Sequence, residues 1–284
     1  MTGSSTGTSA GSVAAGAASG VASGIDAAQR DAFIAFVLAL ADDKLMIGTR
    51  NSDWTGLAPI LEEDIAFSSL AQDEMAHASA LYAYIAPLAG RTADQLAFGR
   101  EPEAYRCADL CVLSDAFDWA LALARHFLFS HYQTLVLARC GRSVQKDFSS
   151  LAKRLHAEQR VHVRHADDWI RRLGAGTPDA QGRLQHALDT LMPLAAALFE
   201  PVPGQDGLVS AGLYPGDDAA MFAEWSDDVR GVLKEAGLTM SPAMPQAPWN
   251  ASQAAGRRGV HHPALAELLD EMCEVYRQEP DAKW

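Results

Sequence analysis

Glu74-Met75-Ala76-His77 places a carboxylate and an imidazole three residues apart, and a histidine pair, His162-x-x-His165, follows much later in the chain. Side chains at positions i and i+3 share one face of a helix, so each pair can act on a common partner. In di-iron proteins built on four helices, two helices each supply one Glu and the other two each supply a Glu-x-x-His. The pattern therefore predicts half of a di-iron ligand set.

The first half-site of such a centre needs an acid on the preceding helix. Asp43 lies 31 residues before Glu74, a separation that suits two ligands on one antiparallel helix pair. This half-site would consist of Asp43, Glu74 and His77. A polar cluster without metal is the alternative, because Asp42 and Asp43 lie beside Lys44 in an otherwise apolar helix, where buried acids need partners.

The second half-site is less complete. His162 stands where an acid is expected, and Glu158, which shares a helix face with His162, is the nearest carboxylate. The preceding helix has no Asp or Glu in residues 119–146, whereas iron prefers several anionic oxygen ligands. Ion pairs within the helix are the alternative for His162 and His165. We therefore expect no catalytic group and no bound metal in this chain, and the remnant of a metal site comprises Asp43, Glu74, His77, Glu158, His162 and His165.

The elements that carry these residues are helical. Apolar residues recur at spacings of three and four from Asp26 onward, and strand patterns are nearly absent. Pro193 should kink the helix that contains it, and the Pro- and Gly-rich stretch 237–261, with Trp249 as its large anchor, should be irregular. The predicted helices span residues 29–50, 59–88, 115–140, 145–173, 179–200, 217–236 and 262–278. The fold prediction is an all-α domain over residues 26–284, with a four-helix core at about 29–173 and additional C-terminal elements over 174–284.

Composition limits the kinds of partner and compartment. A formal net charge of -13 disfavours nucleic acid and anionic membranes as partners, and no apolar run is long enough for a membrane span. Four cysteines without a Cys-x-x-Cys pair indicate reduced thiols. Residues 1–25, rich in Gly, Ala, Ser and Thr, are expected to form a disordered tail rather than a signal peptide. These features predict a cytoplasmic protein.

Several motifs, in order from about residue 29 to Trp284, resemble a known family, the PaaC subunits of ring-1,2-phenylacetyl-CoA epoxidases. The resemblance implies a ferritin-like bundle and a structural role in a bacterial monooxygenase of phenylacetate degradation. The motifs are Leu40-Ala41-Asp42-Asp43, Gly48-Thr49-Arg50, Pro59 to Ala66, Ala124 to Phe129, Tyr132-Gln133, His162-Val163-Arg164-His165 with Trp169, and Gly256-Arg257-Arg258 through Glu271-Met272.

The resemblance also implies the partners. A sister subunit, PaaA, would carry the di-iron centre, a small PaaB subunit would join the assembly, and a reductase, PaaE, with flavin and iron-sulfur cofactors, would deliver electrons from NADPH. Homo-oligomerisation of the isolated chain stays open. A self-sufficient di-iron oxygenase or ferritin-like iron-binding protein, and a helical adaptor unconnected with oxygenases, are the alternatives. The amphipathic C-terminal helix either packs on its own domain or docks a partner.

Overall fold

The computed structural model describes residues 25–249, 255–280 and 282, and within these ranges the regular secondary structure is entirely helical. The predicted all-α class is confirmed. The tail predicted for residues 1–25 lies outside the described residues except for Ile25, which is buried against the core.

Four long helices form the ferritin-like bundle. The first packs along the second and the third packs along the fourth, while side chains of the second and fourth meet across the bundle. All four were predicted to within four residues at each end. The third begins later than predicted, because the Asp118 side chain accepts hydrogen bonds from the amides of Ala120 and Leu121 and caps it there. These helices are α1 (Ala27–Ser52), α2 (Leu61–Ala89), α5 (Trp119–Cys140) and α6 (Lys146–Gly174).

Short helices in the connections were not predicted. The capping box of Thr92 and Gln95 starts one of them, in the stretch between residues 88 and 115, for which no helix was predicted. Elements of four to six residues are too short to show a period of 3.6. They are α3 (Ala93–Phe98), α4 (Asp109–Val112) and α8 (Gln205–Ser210), with a 3₁₀ turn at Pro102–Ala104.

The C-terminal part covers one flank of the bundle with α7 (Pro178–Ala195) and α9 (Asp218–Glu235). Pro193 lies inside α7, which passes into a 3₁₀ turn at Ala196–Phe199 rather than continuing as one helix to residue 200. The single helix predicted for 262–278 is two helices, α10 (Ala264–Met272) and α11 (Glu274–Gln278).

Of the two alternatives for the C-terminal helix, packing on its own domain is confirmed for α10, whose Leu265, Leu268 and Leu269 are buried in the core. Trp284 lies outside the described residues. All four cysteines are free and buried, in agreement with reduced thiols. None of the helices in the described ranges is both long enough and apolar enough to cross a bilayer.

The described parts of the stretch 237–261, residues 237–249 and 255–261, are irregular, as predicted, apart from a 3₁₀ turn at Gly256–Arg258 that approaches the bundle closely. A Cβ atom added to Gly256 would lie 1.8 Å from the carbonyl oxygen of Cys107. Only glycine fits this contact, because any side chain would collide with backbone that cannot move away. The close approach lets the next residue, Arg257, reach the bundle interior, where it is almost completely buried.

Candidate metal centre

Glu74 and His77 lie on the inward face of α2, as the i and i+3 spacing predicts, and both are buried. His162 faces them from α6 and is completely buried. Its Nδ1 lies 2.9 Å from Oε1 of Glu74, and its Nε2 lies 3.2 Å from Oδ2 of Asp73. The structure therefore brings together the central residues of the two predicted half-sites, and carboxylate oxygens face both ring nitrogens of His162.

Lys44 of α1 occupies the middle of this cluster. Its ammonium group donates to Oε2 of Glu74 at 2.7 Å and to Oε1 of Gln159 at 2.9 Å, and Lys44 has no exposed surface. Burial alone would raise the pKa of the Glu74 carboxyl group, but the charges of Lys44 and His162 hold that pKa well below its usual value. Glu74 is therefore an ionised carboxylate whose two oxygens are both engaged.

This arrangement does not fit a di-iron centre. An ammonium group has no lone pair to offer a metal, and its positive charge opposes a second cation at the same carboxylate. The ligands that iron prefers include several anionic oxygens, whereas Glu74 is already paired with Lys44. Within the described ranges, no group of three or more His, Cys, Asp or Glu side chains is arranged to hold a metal ion.

Glu158 joins the cluster at its edge. Its Oε2 lies 2.5 Å from Nε2 of His77, so this pair also links α2 to α6. Burial lowers the pKa of His77, and the nearby charge of Lys44 acts in the same direction, while Glu74 and Glu158 oppose them. The Nδ1 atom of His77 is buried and has no hydrogen-bond partner.

Asp43 does not take part in the cluster, contrary to the predicted first half-site. Its two oxygens accept hydrogen bonds from Nη1 and Nη2 of Arg257 at 2.9 and 2.7 Å, and Oδ1 also accepts from the amide of Ala108. Burial raises the pKa of Asp43, and the charge of Arg257 opposes that rise. Successive residues of a helix point in different directions, so Asp43 and Lys44 serve separate networks.

His165 also differs from the sequence-based expectation. Its Nε2 lies 2.9 Å from Oε2 of Glu63, which precedes Glu74 by eleven residues on α2, so His165 pairs outside the Lys44 cluster. The alternative of ion pairs within the helix is wrong for both His162 and His165, because their partners Asp73, Glu74 and Glu63 all lie on α2.

The third bundle helix, α5, contributes His126 instead of a carboxylate. His126 is completely buried, and its ring centroid lies 6.0 Å from that of His162 and 5.6 Å from that of His165. Burial lowers the pKa of His126 well below its usual value, and the neighbouring histidines add to this shift. His126 is therefore a neutral imidazole, and its Nε2 has no hydrogen-bond partner.

The sequence placed Lys44 beside the acids of a possible polar cluster, but its pairing with Glu74 was not predicted, and Gln159 and Asp73 were overlooked. Lys44 lies 30 residues before Glu74. The spacing therefore predicted the correct turn of α1, but the residue that contacts Glu74 is Lys44 and not Asp43. A lysine in an otherwise apolar helix was the available signal, since a buried ammonium needs an acid. Gln159 and Asp73 gave no comparable signal.

Comparison with known proteins identifies the family of the chain. The family model described as phenylacetic acid catabolic protein matches residues 22–284, which is nearly the whole chain. The chain belongs to the phenylacetic acid catabolic protein family. One relative, the C subunit of 1,2-phenylacetyl-CoA epoxidase from Escherichia coli (strain K12), is 28% identical over 251 residues, covering 88% of this chain and 98% of the relative.

Proposed function

We propose that this chain is the structural, non-catalytic C subunit of a 1,2-phenylacetyl-CoA epoxidase in aerobic phenylacetate catabolism. In this role it pairs with a sister ferritin-like subunit of the PaaA type, which carries the di-iron centre, and stabilises it. A small PaaB protein joins the assembly, and the PaaE reductase supplies electrons from NADPH. The epoxidase relative and the family match support the complex to which the chain is assigned.

The observation that carries the non-catalytic role is the Lys44 to Glu74 ion pair. The ammonium group of Lys44 lies 2.7 Å from the carboxylate of the one Glu-x-x-His motif, with Gln159 completing its hydrogen bonds. The ammonium group of Lys44 neutralises the buried carboxylate of Glu74, and in a di-iron protein the metal ions neutralise the carboxylates of the site. Oxygen activation is therefore assigned to the sister subunit.

Metal analysis of the purified complex tests the proposal. We expect the isolated chain, produced in iron-supplemented cells, to hold far less than one iron per chain, and its complex with the sister subunit to hold two irons per heterodimer. His77→Gln should leave epoxidation by the reconstituted complex within about twofold of wild type, because His77 contacts no reacting group on this proposal.

Three other outcomes would contradict the proposed function. Two irons per isolated chain with oxygen consumption would instead indicate a self-sufficient di-iron enzyme. A large loss of turnover in the His77→Gln complex, at unchanged iron content and assembly, would indicate a catalytic contribution by this chain. Failure to form any stable complex with the sister subunit would indicate an adaptor for a different partner.

A further inference from the structure

An exposed apolar surface lies at the end of the bundle where α1 turns into α2 and where α5 begins. The exposed fraction of its side chains ranges from 44% to 70%, whereas the other strongly exposed large hydrophobic residues in the described ranges are dispersed valines. A cluster of exposed apolar residues at one end of a bundle marks an interaction site more often than single exposed residues do. We call this surface the end patch, and it consists of Leu57, Ile60, Leu61, Ile65 and Phe117.

Trp54 connects the two parts of the end patch, Phe117 before α5 and the residues at the turn from α1 into α2. Its ring lies edge-on to that of Phe117, with centroids 6.0 Å apart, and its carbonyl oxygen accepts a hydrogen bond from the amide of Leu57. Trp54 itself is buried, and it contacts Trp119 on its other side. Phe117 and Leu57, one from each part of the patch, therefore both contact the same buried tryptophan.

Phe117 is held outward by a strained loop. Ala116 and Phe117 have φ angles of 49° and 58°, and they are the two non-glycine residues with positive φ in the described part of the chain. The buried carboxylate of Asp115 fixes this loop, because it accepts hydrogen bonds from Trp54 Nε1, Arg125 Nη2 and the amide of Phe117. Backbone strain that the surroundings maintain in this way is typical of functional sites.

A cleft of about 510 Å³ opens beside Phe117, between the start of α5, the end of α6 and the start of α7. Trp119, Leu173 and Ala180 contribute its apolar walls, and Arg183 lies at its rim. A cleft of this size accepts a large side chain, and anchors that fill such clefts dominate binding energy at protein interfaces.

Acidic residues outnumber basic ones around the end patch. The nearby arginines include Arg50, which pairs with Asp53, and Arg172, which lies over the ring of Trp169 beside Trp119. Residues 51–90 and 107–124, which carry the whole patch, contain no Lys or Arg. Arg183 at the cleft rim is itself paired with Asp179 at 3.2 Å. The acids on the surface of these two segments nearest the patch in sequence are Asp53, Glu62, Asp64 and Asp118.

We propose that the end patch and the adjoining cleft bind an apolar surface of a second, different polypeptide whose rim carries Lys or Arg. A second copy of this chain is a poor occupant, because a two-fold contact would place the acidic rim against itself. The occupant is the catalytic sister subunit, and this choice rests on the proposed function. The end patch is then the surface through which this chain holds its partner.

Replacement of the patch anchors in the full chain tests the proposal, with affinity for the sister subunit measured by isothermal titration or sedimentation. Asparagine tolerates positive φ, so Phe117→Asn removes the ring without adding strain. We expect Phe117→Asn to weaken the complex at least tenfold at an unchanged or higher unfolding temperature. Leu61→Asn should weaken it similarly.

Val144→Asn is the matched control, because Val144 is equally exposed but lies at the opposite end of α5. It should leave affinity unchanged.

If Phe117→Asn and Leu61→Asn bind as tightly as wild type, the end patch is not the interface, although the complex and the proposed function stand. If the wild-type chains do not associate at all, both proposals fail. Self-association of the isolated chain that Phe117→Asn abolishes would make a second copy the occupant and overturn the choice made here.

The charge of the rim gives an independent readout. Glu62→Lys should slow association and weaken the complex by about fivefold at low salt, with the difference shrinking as salt rises, because rim charges act mainly on the association rate. Glu101→Lys makes the same charge change on an exposed residue beyond the far end of α2 and should have a much smaller effect. Equal effects of the two substitutions would show that net charge alone, and not a basic partner at the end patch, is responsible.

Discussion

The Nζ atom of Lys44 and the Oε2 atom of Glu74 lie 2.7 Å apart, and neither side chain has any exposed surface. This ion pair joins α1 to α2 at the glutamate of the Glu-x-x-His motif. Breaking such a pair from one side leaves a buried charge without a partner, which is far more costly than removing both charges.

Substitution of Lys44 should therefore be more damaging alone than in combination. Lys44→Met is expected to lower the free energy of unfolding by about 3–5 kcal/mol, because Glu74 stays buried without its ammonium partner and keeps only the contact with His162. The double variant Lys44→Met with Glu74→Gln should recover most of that loss. Urea unfolding of both variants measures the difference, with Lys153→Met on the exposed side of α6 as a control expected to change stability by less than about 0.5 kcal/mol. Equal losses in the single and double variants would contradict the assignment.

Ionisation of Glu74 should also make the free energy of unfolding depend on pH in the acidic range. Its pKa in the folded protein lies well below the value of 4.5 expected when unfolded, so its contribution is complete above pH 4.5 and is lost as pH falls below that value. The stability difference between wild type and Glu74→Gln should therefore shrink on acidification, by at most about 1.4 kcal/mol per pH unit. Glu101→Gln, on an exposed residue, should show no such trend. A difference that stays constant down to pH 3 would be inconsistent with the depressed pKa.

His126 predicts a second pH dependence, at higher pH. Its pKa is lowered by burial, so below pH 6.5 the unfolded chain takes up a proton that the folded chain does not. This group therefore reduces stability as pH falls through 6.5, with a slope approaching about 1.4 kcal/mol per pH unit. His126→Phe should flatten the stability profile between pH 6.5 and 5, and His186→Gln, on an exposed histidine, should not. Identical profiles for wild type and His126→Phe would exclude a neutral buried imidazole.

Gly256 and Gly231 should respond oppositely to alanine. Gly256→Ala places a Cβ atom on the carbonyl oxygen of Cys107, and overpacking against backbone should destabilise the protein by about 3 kcal/mol. Gly231 lies inside α9 with open space around it, so Gly231→Ala should stabilise the protein by about 0.5–1 kcal/mol. Thermal unfolding measures both. Tolerance of alanine at Gly256 would show that the turn is not packed against the bundle.

The long helices could be predicted because each buries one apolar face, and that requirement leaves a periodic pattern in the sequence. The site was harder to predict. The separation between α1 and α2 ligands identified the correct turn, but Asp43 and Lys44 differ by one residue and point to different partners. Which of the two residues contacts Glu74 depends on the direction of its side chain, and the spacing between residues does not specify that direction.

Arg257 was not predicted to reach the core because it lies in an irregular segment without periodicity. Its role depends on a contact between Gly256 and Cys107 that is fixed only in the folded chain. The partners of His162 and His165 were missed for a similar reason, since helices adjacent in space contribute them and the sequence shows only neighbours on the same helix.

The pairing of Asp43 with Arg257 bridges residues 214 positions apart in the chain. A nascent chain from which only α1 and α2 have emerged does not yet contain Arg257, so burying Asp43 at that stage would leave its carboxylate without the guanidinium that neutralises it. Stable packing of α1 therefore depends on residue 257, and products of premature termination before that residue should be substrates for proteolysis rather than partners for assembly.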